Sequence, residues 1–157
     1  MREIEFRGKK EIITNENIGY CPNGWVYGDS IYQEGKDVYI LPNGISSEAY
    51  HVEPYNFRAN SDRFEIMVAK IKPETLGQYT GLKDKNGTKI FEGDIVKWKF
   101  INDNTEITAT IIFYNGGFCL YGSDSIELCY PALKICDMWS YEVIGNIYDN
   151  PELVNGE

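Results

Sequence analysis

The chain has 157 residues, enough for one medium domain or two small ones, and a formal net charge of −9 from 15 basic and 24 acidic side chains. Its 22 aromatic residues exclude an acidic disordered polymer, which cannot bury enough apolar surface to offset chain entropy. No apolar run approaches the ~20 residues of a membrane span, and Met1–Arg7 alternates charge with hydrophobe, so neither a span nor a secretory leader is expected and the cytoplasm is the default compartment.

Strand-like alternation dominates from the start. In Arg2–Arg7, Ile4 and Phe6 share one face. The turn cluster Cys21-Pro22-Asn23-Gly24 feeds an aromatic, β-branched strand over Trp25–Tyr32. Glu34-Gly35-Lys36 predicts a hairpin into Asp37–Leu41, closed by Pro42-Asn43-Gly44. Residues 45–63 give little periodic signal: Pro54 interrupts any long element, and Arg58–Asp62 reads as a polar loop or boundary. Phe64–Ile71 is a strand, and Pro73-Glu74-Thr75 a single helical turn with proline at its start.

Gln78–Leu82 and Thr88–Phe91 flank Asn86-Gly87, a strong hairpin signal because both residues tolerate positive φ. After Glu92-Gly93-Asp94, the strand Ile95–Phe100 places Val96, Trp98 and Phe100 on one face and Lys97 and Lys99 on the other. Glu106–Tyr114 places Ile107, Ala109, Ile111 and Phe113 on one face, and Asn115-Gly116-Gly117 turns it into Phe118–Tyr121. Pro131 limits any helix in 126–135. Tyr141–Tyr148 is a last strand, followed by Asp149-Asn150-Pro151-Glu152 as the cap of a short helical turn. The fold class expected is mainly β: a β-rich (α+β) N-terminal lobe over residues 1–72, then a small SH3-like barrel over 73–157 ending in a short helical turn.

No constellation of reactive residues emerges. His51 is the sole histidine, which leaves one possible member for any Ser-His-Asp or Cys-His system and excludes histidine-rich metal sites. Cys21, Cys119, Cys129 and Cys136 form no C-x-x-C pair and match no zinc spacing; reduced thiols are expected. Aligning Gly87 with the glycine of a calcium loop puts Leu82, a non-ligand, at its first position. Phosphate-binding glycine loops are absent. The acid pairs Glu92/Asp94, Asp103/Glu106 and Asp124/Glu127 sit in polar turns, where acids are ordinary. We therefore expect no catalytic, cofactor-binding or metal-ligating residue, no cofactor, and no enzyme activity.

Charge and aromatics point to partners instead. From Phe100 onward Lys134 is the only base against nine acids, which disfavours duplex binding there. The aromatic N-terminal group Trp25, Tyr27, Tyr32, Tyr39, Tyr50 and Tyr55 has one interleaved base, Lys36, and fits core or interface better than nucleic-acid stacking.

Three segments together carry a family resemblance: Ile71-Lys72-Pro73-Glu74-Thr75-Leu76-Gly77-Gln78-Tyr79-Thr80-Gly81-Leu82, Asp84-Lys85-Asn86-Gly87-Thr88-Lys89-Ile90-Phe91-Glu92-Gly93-Asp94-Ile95-Val96 and Tyr141-Glu142-Val143-Ile144-Gly145-Asn146-Ile147-Tyr148-Asp149-Asn150-Pro151-Glu152-Leu153. They resemble the YopX family of bacteriophage and prophage proteins, as do Met1–Arg7 and Gly24–Gly28. The resemblance implies a small cytoplasmic protein of a phage-infected or lysogenic bacterium with an SH3-type C-terminal part, and it supplies no catalytic residues. Gly8-Lys9-Lys10-Glu11 departs from the basic-aromatic segment that follows in many relatives. The expected role is a non-catalytic protein–protein interaction with a host or phage protein, or self-association as a homo-oligomer. Single-strand nucleic-acid binding through the N-terminal half, with a basic stripe built from Arg58, Arg63, Lys70, Lys97 and Lys99 as its mark, ranks second. An acidic decoy of a DNA-processing enzyme ranks third, and no membrane partner is expected.

Overall fold

The computed structural model describes residues 3–11, 24–42, 53–59, 62–99, 105–122, 130–131 and 141–155. They are mainly β and divide into two compact units, Ile4–Gln78 and Tyr79–Glu157, the latter including Met1–Glu3.

The first unit contains β1 (Phe6–Lys9), β2 (Trp25–Glu34), β3 (Asp37–Pro42), β4 (Glu53–Ala59) and β5 (Asp62–Ile71). Their antiparallel order is β4-β5-β3-β2-β1. The N-terminal strand starts at Phe6 rather than at Arg2, where the alternation begins, and runs through Gly8. Phe6 packs against the core of Val26, Val38, Ile40, Ala69 and Ile71, and Ile4 lies outside the strand, exposed. Gly28 is forced by close approach, because a Cβ there would overlap the Leu41 carbonyl oxygen and lie 2.6 Å from Ile40 Cγ2. Beyond β1 the chain meets β5: Lys10 bridges to Ile71, the Glu11 N–H donates to the Lys70 carbonyl (3.1 Å), and the Lys72 N–H donates to the Lys9 carbonyl (2.8 Å). These contacts curl the β1-β2-β3-β5 ribbon around its core without closing it. Arg58, Ala59 and Asp62, expected in a boundary loop, instead lie in paired strands, Arg58 opposite Arg63 and Ala59 opposite Asp62, while Asn60 and Ser61 fall outside the described residues. Pro54 is accommodated because β4 is an edge strand, where a missing donor costs little.

Pro73–Thr75 forms the expected helical turn, here a 3₁₀ turn, and Thr75 Oγ1 accepts the Lys9 N–H at 2.8 Å. Strand β6 (Gly77–Lys83) follows; its first two residues pair with β1. In the second unit the rest of β6 pairs with β7 (Lys89–Phe91). Its register shifts between Tyr79 and Lys83, and Thr80 fills the gap by donating its hydroxyl to the Ile90 carbonyl (2.8 Å).

β8 (Asp94–Lys99), β9 (Glu106–Tyr114), β10 (Gly117–Gly122), β11 (Tyr130–Pro131) and β12 (Glu142–Asn146) form an open antiparallel sheet in the order β11-β10-β9-β8-β12. Its core contains Ile90, Val96, Trp98, Ala109, Ile111, Leu120 and Tyr141, so residues of the β6–β7 hairpin pack against one face of the sheet. Trp98 meets Tyr141 edge-on at 5.3 Å. On the other face Ile95, Thr110 and Cys119 are also buried. A short helix α1 (Glu152–Asn155) ends the described chain. The side chain of Asn150, expected as its cap, turns back instead and accepts the Asn146 N–H. Among the described residues no helix is long and apolar enough to cross a membrane.

Candidate interaction surface

The tight turns of the second unit are held by carboxylates and amides. Asp84 Oδ1 accepts the N–H groups of Asn86 and Thr88, both at 2.8 Å, and its Oδ2 accepts that of Val143 at 3.1 Å. Burial alone would raise its pKa, but the Val143, Thr88 and Asn86 donors outweigh it and hold the carboxyl below the usual carboxylate range. Asp94, equally secluded, accepts the Phe91 N–H at 2.7 Å. Asn146 Oδ1 accepts the N–H groups of Tyr148 and Asp149 at 3.0 Å each. These groups are occupied by backbone donors. A carboxyl held down by three donors is a poor proton shuttle at neutral pH. Among the described residues no three His, Cys, Asp or Glu side chains gather as a metal site. His51, Cys21, Cys129, Cys136, Asp103, Asp124, Glu127 and Tyr50 fall outside the described residues. Cys119 is a buried free thiol whose Sγ lies 3.8 Å from the carbonyls of Tyr114 and Gly117.

Lys70, Lys85, Lys89 and Lys99 are similarly occupied. Lys70 binds Glu11 (2.8 Å) and Asp37 (3.1 Å), which hold its ammonium protonated well beyond the usual range. Lys85 pairs with Glu142, Lys89 with Glu3 and Lys99 with Glu106, at 2.6–2.8 Å. Lys99 in turn lowers the pKa of Glu106, and Lys85 that of Glu142. Lys70 belongs to the first unit, and Lys97 and Lys99 to the second. Arg58 and Arg63 lie opposite each other on β4 and β5.

Among the described N-terminal aromatics Trp25 is buried and Tyr32 and Tyr39 are half-buried. Trp25 is buried beneath Arg7, whose guanidinium carbon is 4.7 Å from the ring centroid, and Lys9 Nζ lies at 5.6 Å. Tyr32 and Tyr39 lean on one another at 6.1 Å; Tyr27 is exposed.

The β9–β10 hairpin presents the other exposed aromatic group. Residues 107–122 are sixteen in a row without a charged side chain. Asn115 (φ 48°) and Gly116 (φ 80°) make the two-residue turn with positive φ at both positions, which matches strand twist and fixes the register Tyr114↔Gly117 and Phe113↔Phe118. Near the sheet centre Ala109, Ile111 and Leu120 are core. The hairpin then runs on past that core. Phe113 is on the inward face, as its alternation predicts, yet 52% exposed, resting edge-on against Phe118 at 5.3 Å. On the opposite face Tyr114 and Tyr121 are 54% and 43% exposed. Together they offer on the order of 300 Å² of aromatic surface, taking about 200 Å² per side chain. Among the described residues the outer edge of β10 is paired only at Cys119 and Leu120, by the two-residue β11. Periodicity gives the facing of Phe113 but not its exposure; the charge-free stretch around a two-residue turn is the sequence signal for the surface.

A family model described as YopX protein matches residues 23–155. Among solved structures, protein EF1440 from Enterococcus faecalis is similar over 97% of this chain and 98% of its own, with a TM-score of 0.51 at 19% identity, a likeness of fold. Comparison with curated proteins gives no match.

Proposed function

The chain belongs to the YopX family, a membership that brings a fold without an activity, and from the surface itself we propose that it is a non-catalytic interaction module. On this reading the β9–β10 hairpin docks a protein partner of the host or phage, or a second copy of the chain, in the bacterial cytoplasm. The C-terminal unit acts as a partly open SH3-type barrel, a reading supported by its open five-stranded sheet and the β6–β7 residues in its core. The observation that carries the proposal is the exposure of Phe113, Tyr114 and Tyr121 in a stretch, residues 107–122, with no charged side chain. Aromatic enrichment with depletion of charge is the compositional mark of an interface core. This aromatic surface, divided between the two faces of the hairpin, is a fraction of the ~800 Å² a stable partner buries per side, so the hairpin is the anchor of a larger contact.

Nucleic-acid binding keeps second place: Lys70 and Lys99 already have carboxylate partners, and Trp25 is covered by its own cations. The decoy reading loses support from Glu106, Glu142 and Asp149, each bonded to a neighbouring side chain.

The test compares wild type with a Phe113→Ser/Tyr121→Ser variant. Light scattering over a concentration series and affinity capture from infected cells should show self-association or a retained partner that the variant loses. A strictly monomeric wild type that retains nothing, or an unchanged variant, overturns the reading.

A further inference from the structure

The chain contains five Asn-Gly dipeptides, at Asn23, Asn43, Asn86, Asn115 and Asn155, and two of them lie wholly within the described residues. Those two have opposite surroundings. At Asn86-Gly87 the Gly87 N–H donates to the Asp84 carbonyl (3.0 Å) and the Asn86 N–H to Asp84 Oδ1. The turn is tied to β12 through Val143 and by the Lys85 N–H on the Tyr141 carbonyl (2.9 Å). At Asn115-Gly116 both residues are exposed, and among the described residues no acceptor holds the Gly116 N–H. Nothing lies within 4 Å of the space a Cβ would take at Gly116 or Gly117.

We propose that Asn115 is a site of spontaneous covalent modification that writes a negative charge onto the interaction hairpin, while Asn86 is protected by its turn. The Gly116 nitrogen, having lost its proton to water or hydroxide, attacks Asn115 Cγ. A C–N bond forms, closing a five-membered succinimide, and the side-chain nitrogen leaves as ammonia. Water then adds at either ring carbonyl, giving aspartate or isoaspartate, so the net change is asparagine plus water to acid plus ammonia. No oxidant or cofactor is required. Glycine permits the attack because it has no side chain to obstruct ring closure and adopts the backbone angles the ring demands. At Asn86-Gly87 the same nitrogen is engaged as a donor, and the Asp84 carboxylate beside it opposes a second negative charge. Reaction there must wait for local opening.

The product places a carboxylate beside Tyr114 in a stretch that otherwise carries none. Isoaspartate also adds a backbone methylene to a two-residue turn, which shifts the register that pairs Phe113 with Phe118. Where it rests on the docking role proposed above, the consequence is that the new charge and shifted register disfavour that contact as the protein ages.

The full-length protein, native and urea-unfolded, is held in warm, mildly alkaline buffer and analysed over time by peptide mapping with site-resolved mass spectrometry. In the unfolded chain Asn115 and Asn86 should convert at similar rates. In the native protein Asn115 should stay within about threefold of its unfolded rate while Asn86 slows at least about tenfold. An acidic species should accumulate on anion exchange in step with Asn115 conversion. Equal native rates at the two sites, or an Asn115 protected as strongly as Asn86, overturns the proposal. This readout needs no binding partner, so it stands or fails apart from the docking function.

Discussion

Asp84→Ala removes one side chain and strands three backbone donors at once. The carboxylate is 7% exposed and accepts from Asn86, Thr88 and Val143, joining the β6–β7 turn to β12. A hydrogen bond to a charged group contributes about 1.5–3 kcal/mol net. Asn86 and Thr88 are exposed, so water can replace the lost acceptor there, whereas Val143 is half-buried. The three bonds therefore do not sum fully, and the expected loss is about 3–4 kcal/mol, or roughly 10 °C in Tm for a chain of this length. Asp84→Asn keeps the shape and one acceptor oxygen; its amide nitrogen must oppose one donor, for a loss of about 2 kcal/mol. Urea denaturation followed by near-ultraviolet circular dichroism gives the midpoints, and hydrogen exchange at the Val143 amide localises the effect. The pH dependence has a definite sign. The folded pKa lies below the unfolded one, so the contribution is complete above the ordinary carboxylate value of about 3.9 and is lost as pH falls from there through the depressed folded value. Asp84→Asn should flatten that part of the acid limb. An Asp84→Ala loss below about 1 kcal/mol, or an Asp84→Asn acid limb superimposable on wild type, would refute the reasoning.

Gly28→Ala should abolish or severely reduce folding of the first unit, since the new methyl would overlap the Leu41 carbonyl oxygen; Gly35→Ala, at φ 60° with open space around it, should cost only about 1 kcal/mol by thermal melting. Gly93→Ala combines φ 83° with a Cβ 3.1 Å from Tyr148 Cε2, beside N–H and carbonyl bonds to Ile111 and Ile147, and should destabilise the second unit by about 2 kcal/mol in urea. Lys99→Ala breaks an exposed ion pair with Glu106 and should leave the urea midpoint unchanged within error, while raising the Glu106 pKa toward its ordinary value by NMR titration.

The sequence was legible wherever strand order followed chain order. The β8-β9-β10 meander announces itself through alternation and Asn115-Gly116, because no strand pairing it needs reaches beyond Ile95 to Thr110 and the turn chemistry is local. The β4–β5 hairpin was illegible for local reasons: Pro54 and the opposed Arg58 and Arg63 are signals against a strand, overridden only by an edge position that no local window reveals. The first unit's wrapping was illegible for a non-local one. Lys10 meets Ile71, and Lys9 meets Thr75, across more than sixty residues of chain, and periodicity carries no information about partners so far away. For the interaction surface, alternation supplied the direction of Phe113, but its exposure depends on where the neighbouring strands and the core stop, which is a property of the assembled sheet.

The residues that carry the family resemblance and those of the hairpin proposed to dock a partner are different sets. The motif around Asp84, Gly87, Gly93 and Asp94 and the one around Gly145, Asn146 and Asn150 are consumed by turns: carboxylate and amide oxygens accept backbone N–H groups, and two glycines take positive φ. Such residues tie strands that are distant in sequence, and any chain adopting this arrangement must meet the same geometric demands. The hairpin 107–122 lies between these motifs and belongs to neither. Its inner half is fixed by the core at Ala109, Ile111 and Leu120, whereas its outer half beyond Ile112 is held by the turn, by strand pairing and by Phe118, which packs against that core. Side chains there can be exchanged with little cost to the fold, since Phe113, Tyr114 and Tyr121 are each about half in solvent. On the proposed reading, a scaffold stapled at its turns and less tightly held at one hairpin separates folding from docking. It follows that Phe113→Ser/Tyr121→Ser should leave the urea midpoint within about 1 kcal/mol of wild type while removing association; a variant that unfolds would mean that the hairpin belongs to the core after all.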